Sequence, residues 1–222
     1  MVFPREIRAV VFDMDGLLVD TEVLIRDVYL ELVEARGVSI PDHVFHRMIG
    51  LPNAASDAVA RAHFGPDFPL EALHADVSVR VHAACEAGVA LKAGVVELLD
   101  HLDVVRTPRA IATSSSHASV KRTLGPSGIL PRFDAVVAAG DYARGKPNPD
   151  PFLTAATRLG MAPEHCLALE DSHNGVRAAH AAGMMTVMVP DLLEATDEMR
   201  GLCFAIAESL HHVRELIATP IP

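Results

Sequence analysis

Residues 7–22 of the chain, IRAVVFDMDGLLVDTE, decide the fold. Ile7–Phe12 is a short apolar run rich in β-branched residues, and it passes directly into the polar segment Asp13–Gly16. An apolar run of this length predicts a buried strand, and carboxylates beside a glycine predict a sharp loop after it. The residues beyond this loop change to a helical pattern, so the first strand is not followed at once by a second one.

The region after the first strand is helical, and the remainder of the chain alternates between strands and helices. Residues 18–90 carry no strand signal, and their predicted helices are Thr21–Ala35, a short one from Pro41 to near Gly50, Ala54–His63 and Leu70–Ala87. After Gly94 the predicted strands are Ala110–Thr113, Ala135–Ala138, Leu167–Leu169, Thr186–Val189 and Phe204–Ile206. The predicted helices of this part are Val95–Leu102, Pro149–Leu159, Asn174–Ala182 and Ser209–Ile217.

This order of elements predicts an α/β fold with a Rossmann-like, doubly wound parallel sheet. Apolar strands that alternate with helices are typical of parallel sheets covered on both faces. Because the first strand belongs to the same sheet, the helical block after it is an insertion. We therefore expect a discontinuous core of residues 1–17 and 91–222, and an α-helical cap domain of residues 18–90.

The composition excludes several classes of partner. The chain has 222 residues, 50% of them hydrophobic, which is enough for a medium domain and a smaller one. Its net charge of −10 argues against binding to nucleic acid or to an anionic membrane. The longest apolar runs, such as Met184–Pro190, are too short to cross a bilayer. Three widely spaced cysteines and the lack of a signal-peptide pattern predict a reduced, cytoplasmic protein, which we expect to be a monomer.

Polar side chains of complementary chemistry follow four of the predicted strands. Ligands of an open parallel sheet bind beyond the carboxyl ends of its strands, so these residues are expected to converge. They are Asp13 and Asp15 after the first strand, Thr113–Ser116 after the second, Lys146 after the third, and Glu170 with Asp171 after the fourth.

The residue types at these strand ends point to phosphoryl transfer. Four carboxylates around one lysine repel one another unless a hard cation such as Mg²⁺ neutralises them. A serine hydroxyl at a helix N-terminus together with a lysine forms a cradle for phosphate. A carboxylate such as Asp13 can attack phosphorus, and a second one such as Asp15 can protonate the leaving oxygen and later activate water.

The chain resembles the haloacid dehalogenase superfamily, in the branch with a helical cap after the first strand. The resemblance covers nearly the whole chain and is weakest across the cap. Four motifs carry it in order: Asp13–Glu22 (DMDGLLVDTE), Thr113–Ser115 (TSS), Gly145–Asp150 (GKPNPD) and Leu169–Ala179 (LEDSHNGVRAA).

The resemblance implies roles for the residues of the first motif. Asp13 is the expected nucleophile and a Mg²⁺ ligand. Asp15 is the expected general acid and base, and its backbone carbonyl is a further Mg²⁺ ligand. Thr21 lies where relatives hydrogen-bond the acid–base carboxyl.

The other three motifs supply the expected phosphate and metal sites. The resemblance implies that Ser114 and the Ser115 N–H bind the phosphoryl group. Lys146 neutralises that group and orients the nucleophile. Asp171 together with Glu170 completes the Mg²⁺ site.

Other chemistries of the superfamily fit this sequence less well. Dehalogenases lack a counterpart of Asp15, and phosphonatases need a cap lysine, whereas no lysine precedes Lys92. Hexose-phosphate mutases carry a cap arginine where this chain has Asn53, and a histidine where it has Ile25. Arg47 could take the place of that arginine, so the mutase alternative stays open.

We therefore expect a Mg²⁺-dependent phosphatase that hydrolyses a small phosphorylated metabolite, such as a sugar phosphate, through an aspartyl-phosphate intermediate. One alternative is a mutase of the β-phosphoglucomutase type. An alternative from another class is a non-catalytic, phosphate-responsive regulatory module, since receiver-like domains also combine an aspartate, Mg²⁺ and a lysine.

Overall fold

The computed structural model describes residues 3–49, 51 and 53–218. These residues form two compact units, each described by itself below. The first unit comprises the chain up to Asp20 together with the chain from Gly88 onward, and the second is Thr21–Ala87. The second unit thus starts at Thr21 rather than at residue 18, and it ends at Ala87 rather than at residue 90.

Six strands of the described chain form one sheet in the first unit. They are β1 (Ala9–Phe12), β2 (Arg109–Ser116), β3 (Ala135–Ala139), β4 (Cys166–Glu170), β5 (Met185–Met188) and β6 (Ala205–Ile206). Their order is β3-β2-β1-β4-β5-β6, and every neighbouring pair is parallel. This is the doubly wound arrangement, so the predicted α/β class is confirmed.

Side chains that alternate along the strands fill one apolar layer on each face of the sheet. In β1, Val10 and Phe12 pack into one layer, while Ala9 and Val11 pack into the other. All four are fully buried. Two apolar faces on a central strand explain why the first strand reads as a continuous hydrophobic run, since helices cover both sides of a parallel sheet.

The helices of the first unit connect the strands, and two of them are not among the helices that the sequence pattern predicts. The helices are α5 (Val95–Val105), α6 (His117–Leu124), α7 (Asp150–Leu159), α8 (His173–Ala181), α9 (Asp197–Leu202) and α10 (Leu210–Ala218). The structure adds α6, which starts with the Ser116 side chain accepting a hydrogen bond from Ser119 N at 3.2 Å. It also adds α9, which is too short to show a periodic pattern.

Two segments of the first unit, residues 18–20 and 90–92, pair with each other. Val19 forms an antiparallel bridge with Leu91. Asp20 N donates to Ala90 O at 3.2 Å, and Lys92 N donates to Leu18 O at 3.0 Å. This pairing assigns both segments to the sheet unit, which is why the helical unit is shorter than predicted.

The described residues of the second unit form four helices, α1 (Thr21–Glu34), α2 (Asp42–His46), α3 (Asn53–Phe64) and α4 (Leu70–Ala87). It has a core of its own, which includes Tyr29, Phe45 and Leu73. Tyr29 and Phe45 are in ring contact at 5.6 Å between centroids. A helical region with a separate core is consistent with an inserted domain. No helix within the described residues is both long enough and apolar enough to span a bilayer.

Candidate active site

The parallel register of β1 and β4 brings Asp13 and Glu170 to the same edge of the sheet. Phe12 lies opposite Leu169, and Asp13 N continues the ladder by donating to Leu169 O at 2.9 Å. Each carboxylate is therefore the first residue beyond a matched pair of the central strands. Asp13 is 7% exposed and Glu170 is fully buried, so both negative charges are shielded from bulk water.

Lys146 joins these two carboxylates. Its Nζ lies 2.5 Å from Asp13 Oδ1 and 2.6 Å from Glu170 Oε1, and its side chain is 7% exposed. The ammonium also lies 5.1 Å from the centroid of the Phe152 ring. Because two anions and an aromatic face hold it, Lys146 is fixed in place before any ligand binds.

The burial of this ion network changes how readily its members ionise. Burial raises the pKa of Asp13 from 3.8 to about 7; the charge of Lys146 opposes this shift, and Glu170 and Asp15 reinforce it. For Lys146, burial acts against the charge, but the Asp13 and Glu170 carboxylates prevail and hold its pKa above the ordinary value. The lysine therefore stays charged, and a further positive charge beside Asp13 would stabilise the ionised form of its carboxyl group.

Glu170 also organises the loop between β4 and α8. Its Oε2 accepts hydrogen bonds from Asp171 N, from Ser172 N and from Ser172 Oγ at 3.0–3.1 Å. Ser172 Oγ in turn accepts from Gly175 N and caps α8. A Cβ at residue 175 would overlap the Glu170 carboxylate, so only glycine leaves room for it.

The turn after β1 requires glycine for a similar reason. Gly16 has a φ of +77°, which favours glycine, and its N–H donates to Val19 O at 3.0 Å. A Cβ at this position would collide with the Asp171 carboxylate. The motif-one turn and the Asp171 side chain are thus in close contact.

Asp15 receives a hydrogen bond from the end of β2. Ser115 Oγ donates to Asp15 Oδ2 at 2.8 Å. The Ser115 N–H, expected to bind phosphate, donates here to Thr113 Oγ1 at 3.0 Å. Ser114 is exposed, and the Tyr142 hydroxyl donates to Thr113 O at 3.0 Å.

The acidic residues at this edge fit a hard divalent cation. Carboxylate oxygens of Asp13, Glu170 and Asp171 lie within 4.8 Å of one another. Oxygen donors that are negatively charged and partly desolvated are what Mg²⁺ prefers, and they repel one another without a cation. The site is in this respect complementary to such an ion.

The three supporting residues expected from the sequence belong to the second unit. Thr21 begins α1 and is buried, and Arg47 follows α2 with an exposed side chain. Asn53 begins α3, and its side chain lies outside the described residues. Their roles stay predictions.

Several residues without a role predicted from the sequence also contact this site. Thr113 Oγ1 and Tyr142 hold the β2 loop, and Phe152 supports Lys146. Asp191 follows β5 at the same sheet edge and pairs with Lys92 at 2.5 Å. The rule that ligand-binding residues follow the strand ends could have identified Asp191; the other contacts depend on loop geometry that no motif encodes.

Comparisons with known proteins give a family match for this chain. A family model of the haloacid dehalogenase-like hydrolases matches residues 7–183. The fructose-1-phosphate phosphatase YqaB of Escherichia coli is 34% identical over 184 residues, which cover 81% of this chain and 94% of that protein. The phosphorylated carbohydrates phosphatase of Thermotoga maritima is 30% identical over 176 residues, covering 79% of this chain and 82% of that protein.

A solved structure extends the comparison to three dimensions. CbbY from Rhodobacter sphaeroides, crystallised in complex with phosphate, superposes with a TM-score of 0.74 at 27% identity, covering 93% of this chain and 96% of that one. The chain belongs to the haloacid dehalogenase-like hydrolases. Within that family it is a phosphatase enzyme, as the names of its relatives indicate.

Proposed function

We propose that this phosphatase hydrolyses small sugar phosphates in a Mg²⁺-dependent, two-step reaction with Asp13 as the nucleophile. The observation that carries the proposal is the network in which Lys146 links Asp13 to Glu170 at the matched ends of β1 and β4. A buried carboxylate held by a fixed ammonium is pre-positioned for attack on an anionic phosphoryl group.

In the first step, an Asp13 carboxylate oxygen forms a bond to phosphorus while the bond from phosphorus to the sugar oxygen breaks. Asp15 donates its proton to that departing oxygen, so a neutral alcohol leaves. The Ser115 hydroxyl, 2.8 Å from Asp15 Oδ2, orients the acid. Lys146 places positive charge beside the reacting group.

In the second step, Asp15 takes a proton from water as the water oxygen attacks the aspartyl phosphate. The bond from phosphorus to Asp13 breaks, inorganic phosphate forms, and both carboxyl groups return to their starting states. When bound, the divalent cation supplies charge that favours ionised Asp13 and stabilises the negative phosphoryl oxygens.

Asp13 and Asp171 are the carboxylate ligands that we propose for the cation, with the Asp15 backbone carbonyl as a third ligand. Glu170 is buried, and its two oxygens already accept four hydrogen bonds, from Lys146, Asp171 N and Ser172. We therefore assign it to positioning Lys146 and the loop before α8.

The sugar-phosphate proposal is supported by two relatives, whose names state that they act on fructose 1-phosphate and on phosphorylated carbohydrates. Membership in the haloacid dehalogenase-like hydrolases also favours an enzyme over a non-catalytic regulatory module.

The test is a screen of sugar phosphates for release of inorganic phosphate, with Mg²⁺ and with EDTA. We expect turnover that EDTA abolishes and that Asp13→Asn loses, while Asp100→Asn, an exposed carboxylate on α5, retains it. Turnover that persists in Asp13→Asn would refute the assigned nucleophile. Conversion of a hexose 1-phosphate to its 6-phosphate without phosphate release would identify a mutase instead.

A further inference from the structure

Asp191 carries a buried oxygen for which the described residues provide no hydrogen-bond donor. Its side chain is 9% exposed, and Oδ1 accepts from Lys92 Nζ at 2.5 Å. The other oxygen, Oδ2, is inaccessible to solvent and lacks a donor among the described residues. A buried carboxylate oxygen without a donor is costly, so this atom indicates a missing partner.

The unpartnered oxygen faces the metal-binding edge of the sheet. Oδ2 of Asp191 and Oδ2 of Asp171 both lie within 3.4 Å of the point where a Cβ on Gly16 would stand. The two carboxylates therefore approach the same small space beside the motif-one turn. Asp171 also belongs to the acidic group that includes Asp13 and Glu170.

Lys92 fixes the direction of the Asp191 carboxylate. Its backbone N–H is anchored on Leu18 O at 3.0 Å, and its ammonium lies between Asp191 and Asp20, the latter at 3.5 Å. Because the ammonium holds Oδ1, Oδ2 is turned away from it and toward Gly16.

We propose that Asp191 is a positioning residue of the metal site, whose Oδ2 accepts a hydrogen bond from the hydration shell of the cation held by Asp13 and Asp171. This rests on the cation site of the proposed function. Carboxylates that hold metal-bound water orient it and add negative charge near the ion, so they raise metal affinity without touching the metal. Lys92 acts through Asp191 by keeping Oδ2 pointed at that water.

The test is the dissociation constant for Mg²⁺, measured by calorimetry on the protein without substrate. We expect Asp191→Asn to weaken Mg²⁺ binding about 10- to 100-fold, as is typical when an outer partner of a metal ligand is lost. Asp20→Asn is the matched control: it changes a carboxylate on the same ammonium, but one whose side chain is 37% exposed. It should leave the affinity within about twofold of the unmutated protein, because exposed charges are screened.

Two comparisons separate failure of this inference from failure of the proposed function. If Asp171→Asn weakens Mg²⁺ binding and Asp191→Asn does not, or if Asp20→Asn weakens it equally, Asp191 has no specific role. If Asp171→Asn has no effect either, the cation site itself is misplaced.

A crystal structure of the unmutated protein grown with Mg²⁺ provides a test that does not depend on any variant folding. An ordered water that contacts both the cation and Asp191 Oδ2 supports the inference. A metal-loaded site in which Oδ2 contacts no such water overturns it.

Discussion

Replacing Lys146 by methionine should destabilise the metal-free protein severely. The ammonium makes two buried ion pairs, at 2.5 Å to Asp13 and 2.6 Å to Glu170, and Glu170 is fully buried. Removing one partner of a buried ion pair leaves an uncompensated charge and costs about 3–5 kcal/mol. Methionine has a similar length and can pack on the Phe152 ring, so the loss reports on charge rather than on a cavity. We expect the free energy of unfolding to fall by about 3–5 kcal/mol at pH 8.

The loss from Lys146→Met should shrink at pH 5. The pKa of Asp13 is already raised from 3.8 to about 7 by burial, and loss of the lysine raises it further. A carboxyl whose pKa is higher in the folded state binds more protons there, so the stability of the fold rises as pH falls from about 7 toward 3.8. At pH 5 a protonated Asp13 no longer needs the ammonium, and only the Glu170 pair is lost.

The assay is urea unfolding in EDTA, followed by circular dichroism because the chain has no tryptophan. Lys121→Met is the matched control: Lys121 is an exposed lysine on α6, and its replacement should change stability by less than about 0.5 kcal/mol. Equal losses in the two variants, or a Lys146→Met loss that does not depend on pH, would refute the role given to the buried network.

Three further predictions concern the same site. Gly175→Ala should lower the free energy of unfolding by about 1–3 kcal/mol, because the added Cβ overlaps Glu170. In the same unfolding assay, Gly201→Ala on α9 should be neutral or stabilising, because its Cβ meets no atom within 4 Å. Equal effects of the two substitutions would contradict the overlap with Glu170. Without metal, the free energy of unfolding of the unmutated protein should fall as pH rises from 4 to 7, because the folded state holds the Asp13 proton more tightly than the unfolded state does. Asp13→Asn lacks this carboxyl, so its free energy of unfolding should increase relative to that of the unmutated protein over the same range. Parallel pH profiles would contradict the raised pKa. With p-nitrophenyl phosphate, whose leaving group needs no proton, Asp15→Asn should accumulate a phosphorylated protein, detectable by intact mass spectrometry, because hydrolysis of the intermediate still needs this base. Rapid turnover without such a species would exclude that role.

The sequence was sufficient for the fold because the apolar pattern reports burial directly. A strand buried on both faces, such as Ala9–Phe12, must be apolar throughout, and parallel strands then place residues such as Asp13 and Glu170 at one edge. The expected α/β class and the phosphatase class are both confirmed. The limits of the inserted unit were less exact, since the pairing of residues 18–20 with 90–92 depends on contacts distant in sequence.

The finer structure of the site was beyond a sequence argument. The motif identifies Glu170 as an acidic residue of the site. It does not show that the Glu170 oxygens accept hydrogen bonds from Ser172 and pair with Lys146. Likewise, the serines after β2 are recognisable as hydroxyl donors, yet only the loop geometry shows that Ser115 donates to Asp15. Such contacts depend on backbone directions in loops, for which a local sequence pattern carries little information.

The bridge between Val19 and Leu91 makes the helical insert a replaceable module. The chain leaves the sheet unit and re-enters it at two adjacent, hydrogen-bonded points. An insertion with neighbouring ends can be lengthened, exchanged or reduced to a short connector without changing the path of β1 or α5. Evolution can therefore vary this insert independently of the catalytic residues at the strand ends, and a chimaera that joins Asp20 to Gly88 through a connector or a foreign insert should keep the parallel sheet intact.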